Sequence, residues 1–363
     1  MIQVRIAVVL VSLMLVLLLP VSGEEEEVLT MTQTIEDGRL KVFANTNPNS
    51  TFGFVRNGPL WELDLSTLPD GKHTIGLNSD GEEQLAVFWT GDQSEFIWED
   101  ALIQMVMVDR FVNGNTSNDG PSSGSSFEAD WQGGDLQGVT QMIESGYFEN
   151  LGINAIWLSP LNTNPDGHFT ARDGIHEVSG YHGYWPIEPR QVNPRFGGEV
   201  ALDELVEAAH SRGIRIIADF TINHVHEDHI YFQNHPEWFN EGCLCGTSGC
   251  DWTERRLDCL FMTYMPDIDW SNTEARDQMV SDALWWIERF DLDGLRIDAV
   301  KHVDSEAIKA LSTAIKQRFE NTGNDIYLKG ETAMGWSGHS LLDNQEQYDT
   351  INQYISLDGL DVP

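Results

Sequence analysis

Residues 293–302 read DGLRIDAVKH and combine a short apolar run with an unusual number of ionisable side chains. Side chains alternate between the two faces of a strand, so Arg296 and Asp298 share one face while Leu295 and Ile297 share the other. A strand that served only to pack the core would not need so many ionisable side chains at one end. The stretch therefore predicts a buried strand whose carboxyl end contributes to a functional site.

Four other apolar runs have the same design of an apolar strand that ends in polar residues. Between them lie helical patterns such as 305–319, where Ile308, Leu311, Ile315 and Phe319 have helical spacing. Apolar strands that alternate with helices are typical of a parallel sheet covered on both faces. The runs are ALIQMVMVDRF (101–111), GINAIWLSP (152–160), GIRIIADF (213–220) and DIYLKGE (325–331).

Two connections, 159–198 and 221–272, are much longer than the usual 2–6 residues and follow the carboxyl ends of predicted strands. Long loops at that end of parallel strands build the active site of a (β/α)8 barrel. We predict an α/β fold, a TIM barrel that is incomplete because only about five strands are countable, with YDTINQYISLDGL (348–360) as a candidate sixth. Residues 96–363 form this catalytic barrel, with 221–272 as an inserted domain after strand 3.

The N-terminal part of the chain has a different character. An apolar run over 6–19 followed by small residues predicts a signal peptide over 1–23, hence a secreted protein, extracellular or periplasmic, without membrane attachment after cleavage. A retained membrane anchor is the alternative. Residues 28–95 contain short alternating runs between Pro-Asp-Gly and Asp-Gly-Glu turns, which predicts a sandwich-like β-domain.

Charge and cysteine content restrict the possible partners. The chain has 58 acidic against 21 basic residues, so its surface repels nucleic acids and anionic membranes. All four cysteines, Cys243, Cys245, Cys250 and Cys259, lie within 17 residues of the predicted insertion. Two disulfides are expected in an oxidising compartment. A zinc site is the alternative, because four thiolates can bind zinc tetrahedrally.

Polar side chains follow several strands, and the pair Asp298 and Glu331 follows two consecutive ones. Neighbouring parallel strands lie about 4.8 Å apart, so these carboxyl groups can approach the separation of about 5–5.5 Å used in retaining glycoside hydrolysis. Arg296 is expected to keep Asp298 ionised, whereas Glu331 must hold a proton for the leaving oxygen. The residues thus predict a nucleophile and an acid/base.

The ordered motifs DFTINH (219–224), GLRIDAVKH (294–302) and the Gly-Glu pair at 330–331 resemble signature stretches of the α-amylase family, glycoside hydrolase family 13. The resemblance implies that Asp298 is the nucleophile, Glu331 the acid/base and Arg296 the residue that orients the nucleophile. YHGYW (181–185) is similar to the substrate-stacking segment of cyclodextrin glucanotransferase-type members. The implied substrate-binding residues are Tyr184 and Trp185 for stacking, His224 as a hydroxyl donor, and Lys301 and His302 on the leaving-group side.

The loop DRFVNGNTSNDG (109–120) and the following QGGDLQG (132–138) are rich in the oxygen ligands that calcium prefers. From the residues alone, a loop without metal is an open alternative. The resemblance to the family implies one or two calcium ions. The first set is Asn113, Asn115, Asn118, Asp119, Gly133 through its carbonyl, and Asp135; the second is Asn223, Asp267 and the main-chain oxygen of His302.

Together these features predict a secreted retaining hydrolase of α-1,4-glucans such as starch or maltodextrin. The alternatives are a glucanotransferase of the same family and a glucan-binding homologue without activity. The family's fourth signature, a His-Asp pair that supplies a third carboxylate, has no counterpart after Glu331. We therefore expect the sequence to be truncated at its C-terminal end and this chain by itself to be inactive.

Overall fold

The computed structural model describes residues 31–331 and the two strand residues Ser356 and Leu357. The predicted signal peptide over 1–23 lies outside the described residues. Among the helices of the described part, none is both long and apolar enough to cross a lipid bilayer.

Six antiparallel strands occupy the N-terminal part of the described chain. Two hairpin turns, Asp37-Gly38 and Asp80-Gly81, have positive φ at both residues, as type I′ turns require. The predicted β-rich character is found here, while the limits 28–95 of a separate domain stay a prediction. The strands are β1 (Thr32–Glu36), β2 (Arg39–Phe43), β3 (Val55–Asn57) and β4 (Leu60–Asp64) in the order β1-β2-β4-β3, and the hairpin β5 (Gly71–Ser79) with β6 (Glu82–Thr90).

A parallel sheet of six strands forms the centre of the molecule, in the order β14-β13-β12-β11-β8-β7. Each strand lies beside its neighbour in chain order, which is the order of a barrel, although the described residues form an open sheet. The sixth predicted strand is present as β14. The strands are β7 (Ile103–Val106), β8 (Ala155–Leu158), the antiparallel pair β9 (His168–Thr170) and β10 (Glu177–Ser179), β11 (Arg215–Phe220), β12 (Gly294–Ile297), β13 (Tyr327–Gly330) and β14 (Ser356–Leu357).

Helices connect the parallel strands and cover the sheet. In the last helix the predicted stripe of Ile308, Leu311, Ile315 and Phe319 is buried, as expected from its spacing. The helix over 273–290 begins at an Asn272 cap, whose side chain accepts the Glu274 and Ala275 N–H groups. The helices are α1 (Val108–Phe111), α2 (Leu136–Glu144), α3 (Tyr147–Asn150), α4 (Gly198–His210), α5 (Ile230–Asn234), α6 (Thr273–Phe290) and α7 (Ser305–Phe319).

The insertion between β11 and α6 is cross-linked by two disulfides. Cys243 is bonded to Cys250 and Cys245 to Cys259. The zinc alternative is therefore wrong, because all four sulfurs are used in these bonds. A small loop with little apolar core is held together in this way.

Candidate active site

Arg296 on β12 is surrounded by three carboxylates from three adjacent strands. Its Nη1 donates to the two oxygens of Asp219 at 2.8 and 2.9 Å and to Asp298 Oδ1 at 2.8 Å. Its Nη2 lies 3.0 Å from Glu331 Oε1. The parallel register explains this meeting, because Asp219 of β11 stands opposite Arg296. The structure therefore brings Asp298, Glu331 and Arg296 together at the carboxyl ends of the strands.

Asp219 is the residue that the sequence analysis missed, although it noted the polar strand ends. Its Oδ2 also accepts a hydrogen bond from the Tyr184 hydroxyl at 2.8 Å and from the Trp157 indole N–H at 3.1 Å. Asp219 is 2% exposed. The available signal was its place in DFTINH, one strand away from Arg296. Asp219 thus connects the arginine to the predicted stacking residue Tyr184.

The charge balance differs from the expectation that Arg296 alone keeps Asp298 ionised. Burial raises the pKa of Asp298 well above its usual value, and the negative charge of Asp219 adds to this effect, against the opposing guanidinium. Burial also raises the pKa of Asp219 to about 6. One buried cation faces three carboxyl groups here, so it cannot compensate all of them.

Glu331 does not lie in the apolar surroundings that a proton-holding acid would favour. Its side chain is 35% exposed and pairs with Arg296, and its Oε2 accepts the Ala299 N–H at 3.1 Å. Ala299 has a φ of 50°, a strained value for a residue with a side chain. The chain therefore turns sharply directly after Asp298 and aims a backbone N–H at Glu331.

The two predicted stacking residues have different environments. Tyr184 is half-buried, and its ring centroid lies 6.0 Å from the Arg296 guanidinium. Trp185 is 6% exposed and packs with Phe169 and Tyr264. Its ring therefore packs in the protein interior, and its contact with substrate stays a prediction.

The predicted donor His224 is buried, which lowers its pKa to about 4 and leaves the ring neutral. Its Nε2–H donates to the Tyr184 carbonyl at 3.0 Å, and its Nδ1 lies 3.5 Å from Asn223 Nδ2. Both nitrogens therefore face protein groups, and the N–H expected to reach a sugar hydroxyl is already used in this arrangement. The role of His224 toward substrate stays a prediction.

Lys301 and His302 follow Asp298 in a short 3-10 turn over Val300–His302. Burial lowers the pKa of Lys301 below its usual value and that of His302 to about 4. His302 is tied to the disulfide-linked insertion, since its Nδ1–H donates to the Arg256 carbonyl at 3.0 Å and its ring lies 4.7 Å from that of Phe261. The structure thus places the insertion against the predicted leaving-group side.

The first predicted calcium set is partly assembled. Asn118 Oδ1 is buried without a hydrogen-bond partner among the described residues, and Asn113 Nδ2 lies 2.8 Å from Asp119 Oδ1. A Cβ at Gly133 would lie 2.5 Å from Asn113 Nδ2 and 2.8 Å from Asp119 Oδ1. These four residues form a polar cradle that only glycine permits, and their oxygen atoms fit a calcium ion.

Asn115 and Asp135 serve the loop itself in this structure. Asn115 Oδ1 accepts from Ser117 N and Oγ, and the Asp135 carboxylate caps α2 while it also accepts the N–H groups of Gly114 and Asn115. Their predicted side-chain coordination of calcium is therefore not favoured, because these oxygens already have donors.

Two members of the second predicted calcium set, Asn223 and Asp267, are brought together by a bridge between His224 and Asp267. Asn223 Oδ1 is buried without a partner among the described residues, and burial raises the pKa of Asp267 well above its usual value. A cation between two such oxygens would compensate the buried carboxylate. In the described chain no group of three His, Cys, Asp or Glu side chains is arranged for a metal, so both sets depend on amide or carbonyl oxygens.

Comparison with known proteins agrees with this site. The model of the alpha-amylase catalytic domain matches residues 105–242 and 246–348. An alpha-amylase of Niallia circulans is 30% identical over 225 residues, which cover 56% of this chain and 42% of that protein. A cyclomaltodextrin glucanotransferase of Geobacillus stearothermophilus is 30% identical over 242 residues, 61% of this chain and 33% of that protein. The chain thus spans about a third to two fifths of the length of these relatives.

Solved structures of alpha-amylases are also similar to this chain. The alpha-amylase of Geobacillus thermoleovorans in complex with acarbose superposes with a TM-score of 0.57 at 29% identity, over 72% of this chain and 51% of that one. An Anoxybacillus alpha-amylase superposes with a TM-score of 0.59 at 29% identity, over 72% and 52% of the two chains. Because the family model matches well over half of its residues, the chain belongs to the alpha-amylase family.

Proposed function

We propose that this chain carries the catalytic centre of a secreted retaining glycoside hydrolase that cleaves α-1,4-glucosidic bonds in starch or maltodextrin. The observation that supports this most directly is the arrangement of Asp298, Glu331 and Asp219 around Arg296 at the ends of three adjacent strands. Two carboxyl groups on either side of a scissile bond are what a double-displacement mechanism requires.

In the first step Asp298 attacks the anomeric carbon of the bound glucosyl unit. Arg296 holds Oδ1 at 2.8 Å, which leaves Oδ2 for the attack. Glu331 gives its proton to the glycosidic oxygen as the C–O bond breaks, so the shortened glucan leaves as an alcohol and the glucosyl unit is esterified to Asp298. For this step Glu331 must give up its contact with Arg296 Nη2 and enter as the acid.

In the second step Glu331, now a carboxylate, takes a proton from water, and the water oxygen attacks the same carbon. The bond to Asp298 breaks, and its carboxylate returns to Arg296. Tyr184 would stack on the reacting sugar, positioned through its hydroxyl by Asp219. Lys301 and His302 would contact the unit on the leaving-group side.

We also propose that the chain binds calcium. Asn113, Asn118, Asp119 and the Gly133 carbonyl would hold one ion, and Asn223 with Asp267 would hold a second, with the His302 main-chain oxygen as a further ligand. Calcium would act as a structural cross-link for its loop and for the insertion. Two buried amide oxygens, on Asn118 and Asn223, have no hydrogen-bond partner in the part of the chain that the structure describes, which supports this assignment.

Export is proposed from the apolar run over 6–19 together with the two disulfides, which persist mainly in oxidising compartments. A strongly acidic surface is compatible with a secreted protein that acts on a neutral polysaccharide.

The mechanism is tested by trapping the intermediate in a protein that completes the barrel around this chain, because the chain by itself is expected to be inactive. In Glu331→Gln, an α-maltosyl fluoride substrate with its own good leaving group still reacts with Asp298, while hydrolysis of the ester is slow. Mass spectrometry of peptides should show one maltosyl adduct on the peptide that contains Asp298 and none in Asp298→Asn. An adduct on another residue, or undiminished turnover of starch by Glu331→Gln, would refute the assignment.

A glucanotransferase is the second candidate function, because several of the relatives are cyclomaltodextrin glucanotransferases at 28–31% identity. Both reactions share the ester on Asp298 and differ in whether water or a sugar hydroxyl resolves it. Product analysis on starch separates them. Linear sugars with new reducing ends support hydrolysis, whereas cyclic products with few reducing ends support transfer.

A further inference from the structure

Lys72 of β5 is a buried cation that no step of the proposed reaction uses. Its side chain is 1% exposed, and its Nζ lies 2.9 Å from Asp293 Oδ1 and 3.3 Å from Asp291 Oδ1. It also donates to the carbonyls of Asp291 and Leu292 at 2.7 and 3.1 Å. The N-terminal hairpin therefore inserts a charge at the amino end of β12, opposite the end that carries Arg296.

Asp293 connects this charge to the parallel sheet. Its Oδ2 accepts the Ile216 N–H of β11 at 2.8 Å and lies 2.8 Å from His210 Nε2 of α4. The side chain of Asp293 is 3% exposed. A carboxylate buried this deeply needs a compensating cation, and Lys72 supplies it from a part of the chain about 220 residues away.

The second strand of the hairpin belongs to two cores. Leu85 and Val87 are part of the hydrophobic cluster of the parallel sheet, whereas Ala86 and Phe88 are part of the cluster of the N-terminal strands. This alternation is the side-chain period of a strand with two buried faces. β6 therefore packs against the N-terminal core and against the parallel sheet at the same time. We call the side of the sheet at the amino ends of its strands, which the hairpin covers, the floor.

The segment after the hairpin completes this floor. The Arg215 guanidinium of β11 lies 4.0 Å from the Trp89 ring centroid and 3.8 Å from that of Phe96, and donates to the Gln93 carbonyl at 2.8 Å. A cavity of about 480 Å³ lies among these residues. We assign it no ligand, because the arginine that lines it is engaged with Gln93 and the two rings.

We propose that the hairpin β5–β6 is a fixed part of the catalytic domain and forms its floor. Lys72 is the counter-ion of Asp293, and this ion pair couples the hairpin to the parallel sheet. The N-terminal strands are on this view not an independent domain. Asp293 joins β11 to β12 at the amino ends of these strands. The ion pair of Lys72 with Asp293 therefore stabilises the strand register that places Asp219 opposite Arg296 toward the carboxyl ends.

The test is Lys72→Met in the full chain, with Lys41→Met as control. Lys41 lies in the same region but pairs with Glu36, which is 60% exposed. Removing one partner of a buried ion pair should lower the ratio of folded to unfolded protein by about two to three orders of magnitude, against less than about tenfold for the control. Urea unfolding gives these ratios, and hydrogen exchange locates the change.

In Lys72→Met, peptides from 71–90 and from 213–220 should exchange faster together. Faster exchange in 71–90 alone, or an effect no larger than that of Lys41→Met, would overturn the proposal. The double variant Lys72→Met/Asp293→Asn removes both charges and should be more stable than Lys72→Met. If Lys72→Met does not fold, recovery of folded protein in the double variant supports the pairing, and failure to recover contradicts it.

Discussion

Replacing Asp219 by asparagine tests the arrangement around Arg296 most directly. Among the described residues, the groups that contact this carboxylate are all donors: Arg296 Nη1, the Tyr184 hydroxyl and the Trp157 indole N–H. Asparagine has a single acceptor oxygen, and its NH2 group must face one of these donors. The substitution therefore removes the charge that orients Arg296 and also disturbs the support of Tyr184.

The size of the effect follows from the contact that is lost. A hydrogen bond to a charged group contributes about 1.5–3 kcal/mol. If Arg296 and Tyr184 are held in their reactive positions by this contact, kcat/KM on maltooligosaccharides should fall by about 10- to 150-fold. Arg296 keeps Asp298 as a partner throughout the proposed reaction, so the loss should remain smaller than that caused by removing the nucleophile.

The pH dependence of activity provides a second, independent test of the role of Asp219. The negative charge of Asp219 raises the pKa of Asp298, so its removal lowers that pKa. Asp298 must be ionised to attack, hence the acidic limb of the pH–rate profile should move to lower pH in Asp219→Asn. A variant that is only less well folded would lose activity without this displacement.

The assay is a pH series of kcat/KM for Asp219→Asn in a protein that completes the barrel around this chain, with urea unfolding as a check on folding. Asp203→Asn is the matched control, because Asp203 pairs with Arg289 on the surface and is 45% exposed. An acidic limb that moves to higher pH, or a kcat/KM equal to that of the control, would refute the role given to Asp219.

Three further predictions concern calcium, the disulfides and salt. Calcium should raise the thermal unfolding midpoint by several degrees. Asn118→Ala should reduce this shift. Asn115→Ala should retain it, because the Asn115 side chain is used within its own turn. Replacing Cys245 and Cys259 by serine should lower the free energy of unfolding by about 3 kcal/mol, the value for a loop of about 15 residues, as measured by urea unfolding. With a net charge of −37, the chain should unfold at higher temperature in 1 M KCl than in 0.1 M, because the Debye length shortens from about 10 to 3 Å. An unchanged midpoint in either titration, or an unchanged free energy in the cysteine variant, would contradict the corresponding prediction.

The parallel sheet and the meeting of Asp298 with Glu331 were predictable because both follow from local pattern. Each strand is a short apolar run, and residues directly after consecutive parallel strands meet at one edge. The α7 stripe was predictable for the same reason, since helical spacing by itself determines which side chains face the core.

Contacts between distant segments were not predictable in this way. The pairing of Arg296 with Asp219 joins residues 77 apart, and it depends on the register of two strands that periodicity does not determine. Trp185 illustrates another limit. An aromatic residue beside a predicted stacking residue has the same sequence pattern whether it faces the substrate or the core, and only the packing of Phe169 and Tyr264 against it decides. Cysteine spacing likewise left the two disulfide pairings open.

The sharing of one guanidinium by three carboxylates has a consequence for how the proposed reaction begins. In this structure Glu331 Oε1 pairs with Arg296 Nη2 and Oε2 accepts the Ala299 N–H, so both carboxyl oxygens already contact donors. On the proposed mechanism we expect a bound glucan to displace Glu331 from these contacts, which would leave Arg296 paired with Asp219 and Asp298. Because Glu331 is the most exposed of the three acids and the other two are buried, it is the one that can move at the lowest cost in solvation. On the proposed mechanism, Arg296 would hold Asp298 as the nucleophile while substrate binding releases Glu331 as the acid.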